Sequence, residues 1–352
     1  MLGDYGKVVT GNTPPTKDIE NYENGTYLWA SPADLGTHKL ISETKTKLSS
    51  KGFTKTRPLS KGSVLVTCIG STIGKTGMAT REMSTNQQIN SIVVNENNDN
   101  EFVYYVVQSA FPHYLSSIAV QAVPIISKSS FELLPSKRPS LQEQNKIGKF
   151  LSLLDERIST QHRLIDRLQS LMKGIRHRII NEAKGKIVCL CEVSDIYQPQ
   201  TISSADLTET GYPVYGANGI IGHYTSYNHE AEQVCITCRG NTCGGVNYTK
   251  SKSWITGNAM VVNVDRYQNI VSKRYLYHYL SNCDFNSIIS GSGQPQIVRA
   301  PLAKFKIILP TVMQQYKIAH CLDVIQNKIN VNSNILNLLI RQKQYLLRKM
   351  FI

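Results

Sequence analysis

The sequence is written twice, and this constrains its folding more than any other feature. Thr67-Cys68-Ile69-Gly70-Ser71-Thr72-Ile73-Gly74 and Thr237-Cys238-Arg239-Gly240-Asn241-Thr242-Cys243-Gly244 share the pattern T-C-x-G-x-T-x-G at an offset near 170 residues. The same offset pairs Ser91-Ile92-Val93-Val94 with Met260-Val261-Val262, Phe102-Val103-Tyr104-Tyr105 with Tyr275-Leu276-Tyr277, and Pro124-Ile125-Ile126 with Pro295-Gln296-Ile297. A repeat sets the architecture before any motif is read, so each half is one copy of one unit. Runs such as Ser63 to Ile69 and Gln233 to Thr237 are β-branched and bounded by Gly, Asn and Pro clusters. That is the pattern of short strands joined by loops, and it predicts a mixed, strand-rich domain in each copy.

Each copy closes on a different period. Apolar residues recur in steps of four and three at Ile147, Leu151, Leu154, Ile158, Ile165, Leu168, Met172, Ile175 and Ile179, and again at Ile318, Leu322, Ile325, Ile329, Leu336, Leu339, Leu346 and Met350. This heptad seam predicts two long helices, each of about 40 residues and roughly 60 Å at 1.5 Å per residue. Pro139 and Pro310 precede them, where a missing N–H is tolerated. One seam buries too little to stand alone, so the two helices are each other's natural partners; spacing leaves parallel and antiparallel pairing open. Gln161 and Asn332 interrupt both seams at one equivalent place, and Lys343 replaces Met172. Buried polar residues at such positions set register at a cost in stability, and a solvated polar gap is the alternative. The expected organisation is α+β: a first domain over 1–138, a helix and linker over 139–186, a second domain over 187–309 and a second helix over 310–352.

With 352 residues and 41% apolar content, each half can build its own core. No run of eighteen apolar residues and no signal-like start is present, so a cytoplasmic protein is expected. The eight cysteines are scattered and read as reduced core residues. Net charge is +14, of which +7 falls in 136–186 and +5 in 310–352, leaving +1 in 1–135 and +1 in 187–309. An anionic partner follows, although charge alone does not separate nucleic acid from a membrane surface or an acidic protein.

Catalytic motifs fail one after another. Gly70 to Thr76 resembles a phosphate-binding loop, but that motif needs Gly where Ile69 stands. Asn12-Thr13-Pro14-Pro15 is broken as a methyltransferase loop by the intervening Thr13. Cys235, Cys238 and Cys243 have zinc-like spacing, yet the first copy has Leu65, Cys68 and Ile73 there, which reads as packing, so no metal is expected. Asp34, Glu43 and Lys45 have the loose spacing of a Mg-dependent nuclease cluster and no counterpart in the second copy, which has Ser204. Two groups remain. Lys39, Lys45, Lys47, Lys51, Lys55, Arg57 and Lys61 form a basic stretch suited to phosphate backbones, or a solubilising loop. Asn86, Gln87 and Gln88 in the first copy and Arg239, Asn241, Gln294, Gln296 and Arg299 in the second can read base edges, with Thr72, Lys75 and Thr242 of the glycine loops beside them.

The duplication, the closing helices and the phrases Leu2-Gly3-Asp4, Tyr27-Leu28-Trp29-Ala30, Tyr212-Pro213-Val214-Tyr215-Gly216-Ala217-Asn218-Gly219 and Pro139 to Gln144 together resemble type I restriction-modification specificity subunits (HsdS). The resemblance covers essentially the whole chain. It implies two pseudo-symmetric target recognition domains at opposite ends of an antiparallel coiled coil, each reading half of a split site in double-stranded DNA. It also implies that the helices dock two modification (methyltransferase) subunits, that a restriction or translocase subunit can join, and that S-adenosylmethionine, ATP and Mg belong to those partners while this chain catalyses nothing. Two departures stand out: the first copy begins at Leu2, where many members carry an upstream stretch, and Gln314 replaces Glu143 in the second copy. The rival readings are a self-contained nuclease and a coiled-coil scaffold.

If the helices space the two half-sites, spacing is editable. Four residues inserted near Gln161 add roughly 6 Å at 1.5 Å per residue, and base pairs stack about every 3.4 Å. Selection from random DNA should then return a gap longer by one or two base pairs with unchanged half-sites; a folded insertion variant that keeps its original gap removes the helices as a ruler.

Overall fold

Val64-Leu65-Val66-Thr67 and Val234-Cys235-Ile236-Thr237 lack a polar alternate position, the mark of a strand covered on both faces, and in the computed structural model every residue of both runs is buried. The structure describes residues 1–117, 125–217, 219–291 and 293–351. Pro124 and Asn218, each part of a phrase singled out above, lie outside the described residues. The chain divides into unit 1, residues 1–162 with 335–352, and unit 2, residues 163–334.

Unit 1 runs through β1 (Gly6–Thr10), β2 (Tyr27–Ala30), β3 (Leu40–Ile41), β4 (Thr46–Leu48), α1 (Ser50–Thr54), β5 (Val64–Thr67), β6 (Thr76–Ala79), β7 (Ser84–Thr85), β8 (Ile89–Val94), α2 (Asn100–Ser117) and α3 (Lys128–Glu132) into α4 (Leu141–Glu182). Its main sheet has the order β1-β8-β5-β6-β3, antiparallel except for the β3–β6 pair. Side chains alternate across a strand, so Val64 and Val66 join one core with Tyr5, Phe102, Tyr105 and Leu151, while Leu65 joins another with Leu28, Leu35 and Ile89. A smaller sheet, β4-β2-β7, contains a parallel β2–β7 pair.

Unit 2 continues α4 and adds β9 (Lys186–Cys189), α5 (Leu190–Val193), β10 (Asp195–Tyr197), β11 (Tyr212–Gly216), β12 (Gly219–Tyr224), β13 (Val234–Thr237), β14 (Val246–Tyr248), β15 (Trp254–Ile255), β16 (Ala259–Asn263), α6 (Lys273–Leu280), β17 (Ile289–Ser290), β18 (Gln296–Ile297), α7 (Arg299–Ala303), β19 (Lys306–Leu309) and α8 (Val312–Met350). The order β10-β16-β13-β14 matches β1-β8-β5-β6, and β12-β11-β15 again contains a parallel pair. Val234 and Ile236 face one core and Cys235 the other. The remaining strands pair as β17–β18 and β9–β19. Among the described residues no helix is long and apolar enough to cross a membrane.

Polar clusters fasten α8 differently in the two units. In unit 1, Lys343 Nζ meets Asp155 Oδ1 at 2.6 Å, and Asp155 also accepts the Tyr105 hydroxyl at 2.7 Å. In unit 2, Asp323 accepts hydrogen bonds from Arg274 Nε at 3.0 Å and from the buried His278 Nε2 at 2.8 Å. Burial pushes the His278 imidazole down to about 4, against the pull of Asp323. Burial alone would raise the Asp323 carboxyl; Arg274 and His278 outweigh it and hold it below its usual value.

His278 is therefore neutral when folded, while the unfolded chain takes up its proton near pH 6.5, so stability is full above that value and is lost as pH falls toward 4. Denaturant titrations should show a loss of about 2 kcal/mol on going from pH 7 to pH 5 that is absent in His278→Gln. An identical pH dependence in both proteins would contradict the assignment.

Candidate nucleic-acid interface

Each buried central strand runs into a glycine loop. Gly70 and Gly240 hold φ values of +96° and +84°, a left-handed backbone that a Cβ disfavours. The loops close identically, with the Gly74 N–H donating to Thr67 and the Gly244 N–H to Thr237, both at 2.9 Å. Lys75 and Gly245 N–H groups donate to Thr72 and Thr242. These amides are spent inside the loops.

In unit 2 the loop lies against the segment entering β18. The Gly240 N–H donates to Pro295 and the Ile297 N–H to Cys238, each at 3.0 Å, and Arg239 bridges Gln296. Two stretches more than fifty residues apart thereby bring Arg239, Asn241, Thr242, Gln294 and Gln296 together. Gln296 is half-buried and the others are exposed. None of these five side chains is hydrogen-bonded among the described residues. Arg299, also exposed, opens α7.

The first copy presents less. Cys68 donates to the Gln88 carbonyl at 2.8 Å, and a Cβ on Gly70 would sit 3.7 Å from Gln88 Nε2, so Gln88 flanks the loop. Lys75 and Gln87 are exposed and Thr72 half-buried. Gln87 accepts from the Thr13 hydroxyl. Asn86 is buried and braces Gln88 through both amide groups at 3.0 and 3.1 Å.

Most of the basic stretch is neutralised locally. Lys47 pairs with Glu43 at 2.7 Å, Lys55 with Asp18 at 2.9 Å, Lys51 with Glu20, and Lys39 with Glu101. Arg57 donates to the Thr10 carbonyl at 2.7 Å. Lys45 and Lys61 keep exposed ammonium groups without an acidic partner among the described residues. Asp34 is consumed by the Ser31 N–H and hydroxyl and by the Lys45 N–H, at 2.9, 2.7 and 2.8 Å. With Glu43 on Lys47, the trio Asp34, Glu43 and Lys45 forms no joint carboxylate site. Among the described residues no group of three or more His, Cys, Asp or Glu could hold a metal ion. Cys235 is a core residue whose thiol burial pushes up to about 12.

The helix seam residues all turn away from solvent. In unit 1, Leu151, Leu154, Leu336 and Leu339 are buried and Ile147 and Ile158 half-buried; in unit 2, Ile165, Leu322 and Ile329 are buried and Leu168, Ile318 and Ile325 half-buried. Sequence reasoning missed two cations of α4. Lys173 and Arg176 line a 490 Å³ cavity with Gly244 and Gly245 of the loop. The buried Arg176 Nε has no hydrogen-bond partner, and burial lowers its pKa. Their signal was present only as part of the excess charge of 136–186.

The family model described as "Type I restriction modification DNA specificity domain" matches residues 1–170 and 183–341. The specificity subunit of the EcoprrI type I restriction enzyme from Escherichia coli is 25% identical over 338 residues, 89% of this chain and 83% of that protein. The MjaVIII specificity subunit from Methanocaldococcus jannaschii is 22% identical, spanning 94% of this chain and 86% of its own. In fold, the chain is similar to a type I restriction-modification S subunit from M. genitalium, with a TM-score of 0.67 at 16% identity over 100% of this chain and 95% of that one. This chain belongs to the family of type I restriction-modification DNA specificity subunits.

A methyl group on Gly240 would meet nothing within 4 Å, so Gly240→Ala isolates the backbone effect. Denaturant unfolding should show a cost of about 1–2 kcal/mol from the left-handed φ. A neutral substitution would mean that this φ is not required.

Proposed function

We propose that the chain is the non-catalytic, sequence-reading subunit of a type I complex, recognising a bipartite target in double-stranded DNA with one half-site per unit. The observation that carries this reading is the convergence of Arg239, Asn241, Gln294 and Gln296 in unit 2 on one surface, with side chains that no protein group engages among the described residues. Arg suits guanine O6 and N7, and Asn or Gln suits adenine N6 and N7, so such a patch has base-reading chemistry. Lys45, Lys61, Lys75, Lys173 and Arg176 contact phosphates, which position the protein without carrying sequence information. In unit 1, Gln87 and Gln88 take the reading role beside Thr72.

The two recognition domains are pseudo-symmetric and α4 and α8 form an antiparallel coiled coil. Support comes from Asp155 near the start of α4 meeting Lys343 near the end of α8. The helices also dock the modification subunits, supported by apolar side chains left exposed on them: Phe150, Leu153, Leu338 and Tyr345 in unit 1, and Leu171, Val324 and Val331 in unit 2. Methyl transfer with S-adenosylmethionine, and ATP- and Mg-dependent cleavage, belong to partner subunits in the cytoplasm.

Selection from a random duplex pool should return two short blocks separated by an unspecified gap. Arg239→Ala should relax one block at a cost of about 1–3 kcal/mol per lost bidentate contact, leaving the other intact. If both blocks change together, or neither does, Arg239 is not a reader of one half-site.

A further inference from the structure

One glutamine fastens each long helix in the same way, and this fixes which residues of the two helices correspond. The buried Gln144 and Gln315 side chains accept the N–H just before α2 and α6, from Asp99 and Ser272 at 3.1 and 2.8 Å. They donate to the Pro139 and Pro310 carbonyls at 3.0 and 2.9 Å. On that register Lys173 of α4 matches Gln344 of α8, Arg176 matches Leu347, and Asp155 matches Gln326. In unit 1 an apolar residue takes the place of Arg176: Leu347 packs on the core, and its carbonyl accepts the Ser109 hydroxyl at 3.2 Å. In unit 2 the same place holds a cation. Lys173, Arg176 and Gln326 line the 490 Å³ cavity together with Gly244 and Gly245, and none of the lining residues is acidic. Arg176 makes no hydrogen bond or ion pair among the described residues, and its Nε is sealed from solvent. A buried donor that no protein group answers calls for an explanation.

The glycine loops differ in the reciprocal sense. The first carries the exposed Lys75, without an ion pair among the described residues, where the second has Gly245 and no side chain. A guanidinium offers paired N–H donors that match two phosphate oxygens. The loop whose end forms the cavity wall holds Arg239 and Asn241 outward, and a base edge read in the major groove has backbone phosphates within about 12 Å, one groove width. We infer that this cavity is a socket for one phosphate of the DNA backbone, held by Arg176 with Lys173 beside it. Unit 2 thus takes from its helix the cation that unit 1 carries on its loop. The inference rests on the proposed reading of DNA and adds to it one anchored phosphate on the flank of the half-site that unit 2 reads.

The test uses the full chain and a duplex carrying its selected site, with single methylphosphonate substitutions that each remove one charge. Arg176→Leu installs the residue that unit 1 has at this place and is expected to fold; Arg176→Gln, closer in length, is the second variant. One position flanking a half-site should cost the wild-type chain about tenfold in affinity and cost either variant nothing. Both variants should select the same bases, with a salt slope smaller by about one. If every sensitive phosphate stays equally sensitive in the variants, the socket is overturned while the reading of DNA stands. If the wild-type chain selects no sequence at all, both fall together.

Discussion

Burial of one strand on both faces is the constraint on which each unit depends. β5 and β13 have no solvent side, so every neighbour is placed by what it must cover: α2 and the Tyr5 cluster over Val64 and Val66, the Leu28 cluster over Leu65, and the corresponding cores over Val234, Ile236 and Cys235. Such a strand cannot slip by one residue without exchanging its two faces. The loop leaving it is thus presented at a fixed place, and its left-handed glycine and internal amide bonds give it one shape. A rigid loop can hold polar side chains outward at little entropic cost when they engage a partner.

Electrostatics divide the cations into two populations. Those of the first-copy stretch mostly meet carboxylates 4 to 62 residues away, Glu43, Asp18, Glu20 and Glu101. The exposed pairs among them, Lys47–Glu43 and Lys51–Glu20, add little to stability, but they also cancel much of the field that phosphates would feel. Arg239 in the second copy, and Lys173 and Arg176 beside its loop, have no such partners among the described residues. The +7 of 136–186 includes these two cations of α4.

Much of this was legible in the sequence because duplication and heptad spacing are local or self-referential signals. The T-C-x-G-x-T-x-G repeat marks the two glycine loops, and the apolar steps trace α4 and α8. What stayed hidden depends on pairing between distant segments. The parallel contact of β2 with β7 and the pairing of β9 with β19 across more than a hundred residues leave no spacing to read. The polar fastenings of α8 were equally opaque, since Asp155 with Lys343 and Asp323 with Arg274 and His278 read along the chain as ordinary helix charges. Asn86 shows the opposite limit: its residue type suits adenine, yet it is buried and engaged with Gln88.

On the proposed function, the loops ending the two buried strands are the surfaces that meet DNA. Hydrogen exchange of the whole chain, free and bound to a duplex carrying its selected site, tests this directly. Protection is predicted over 69–76 and 86–88 in unit 1 and over 239–245 and 294–297 in unit 2. Protection confined to other surfaces, such as the outward faces of α4 and α8, would contradict it.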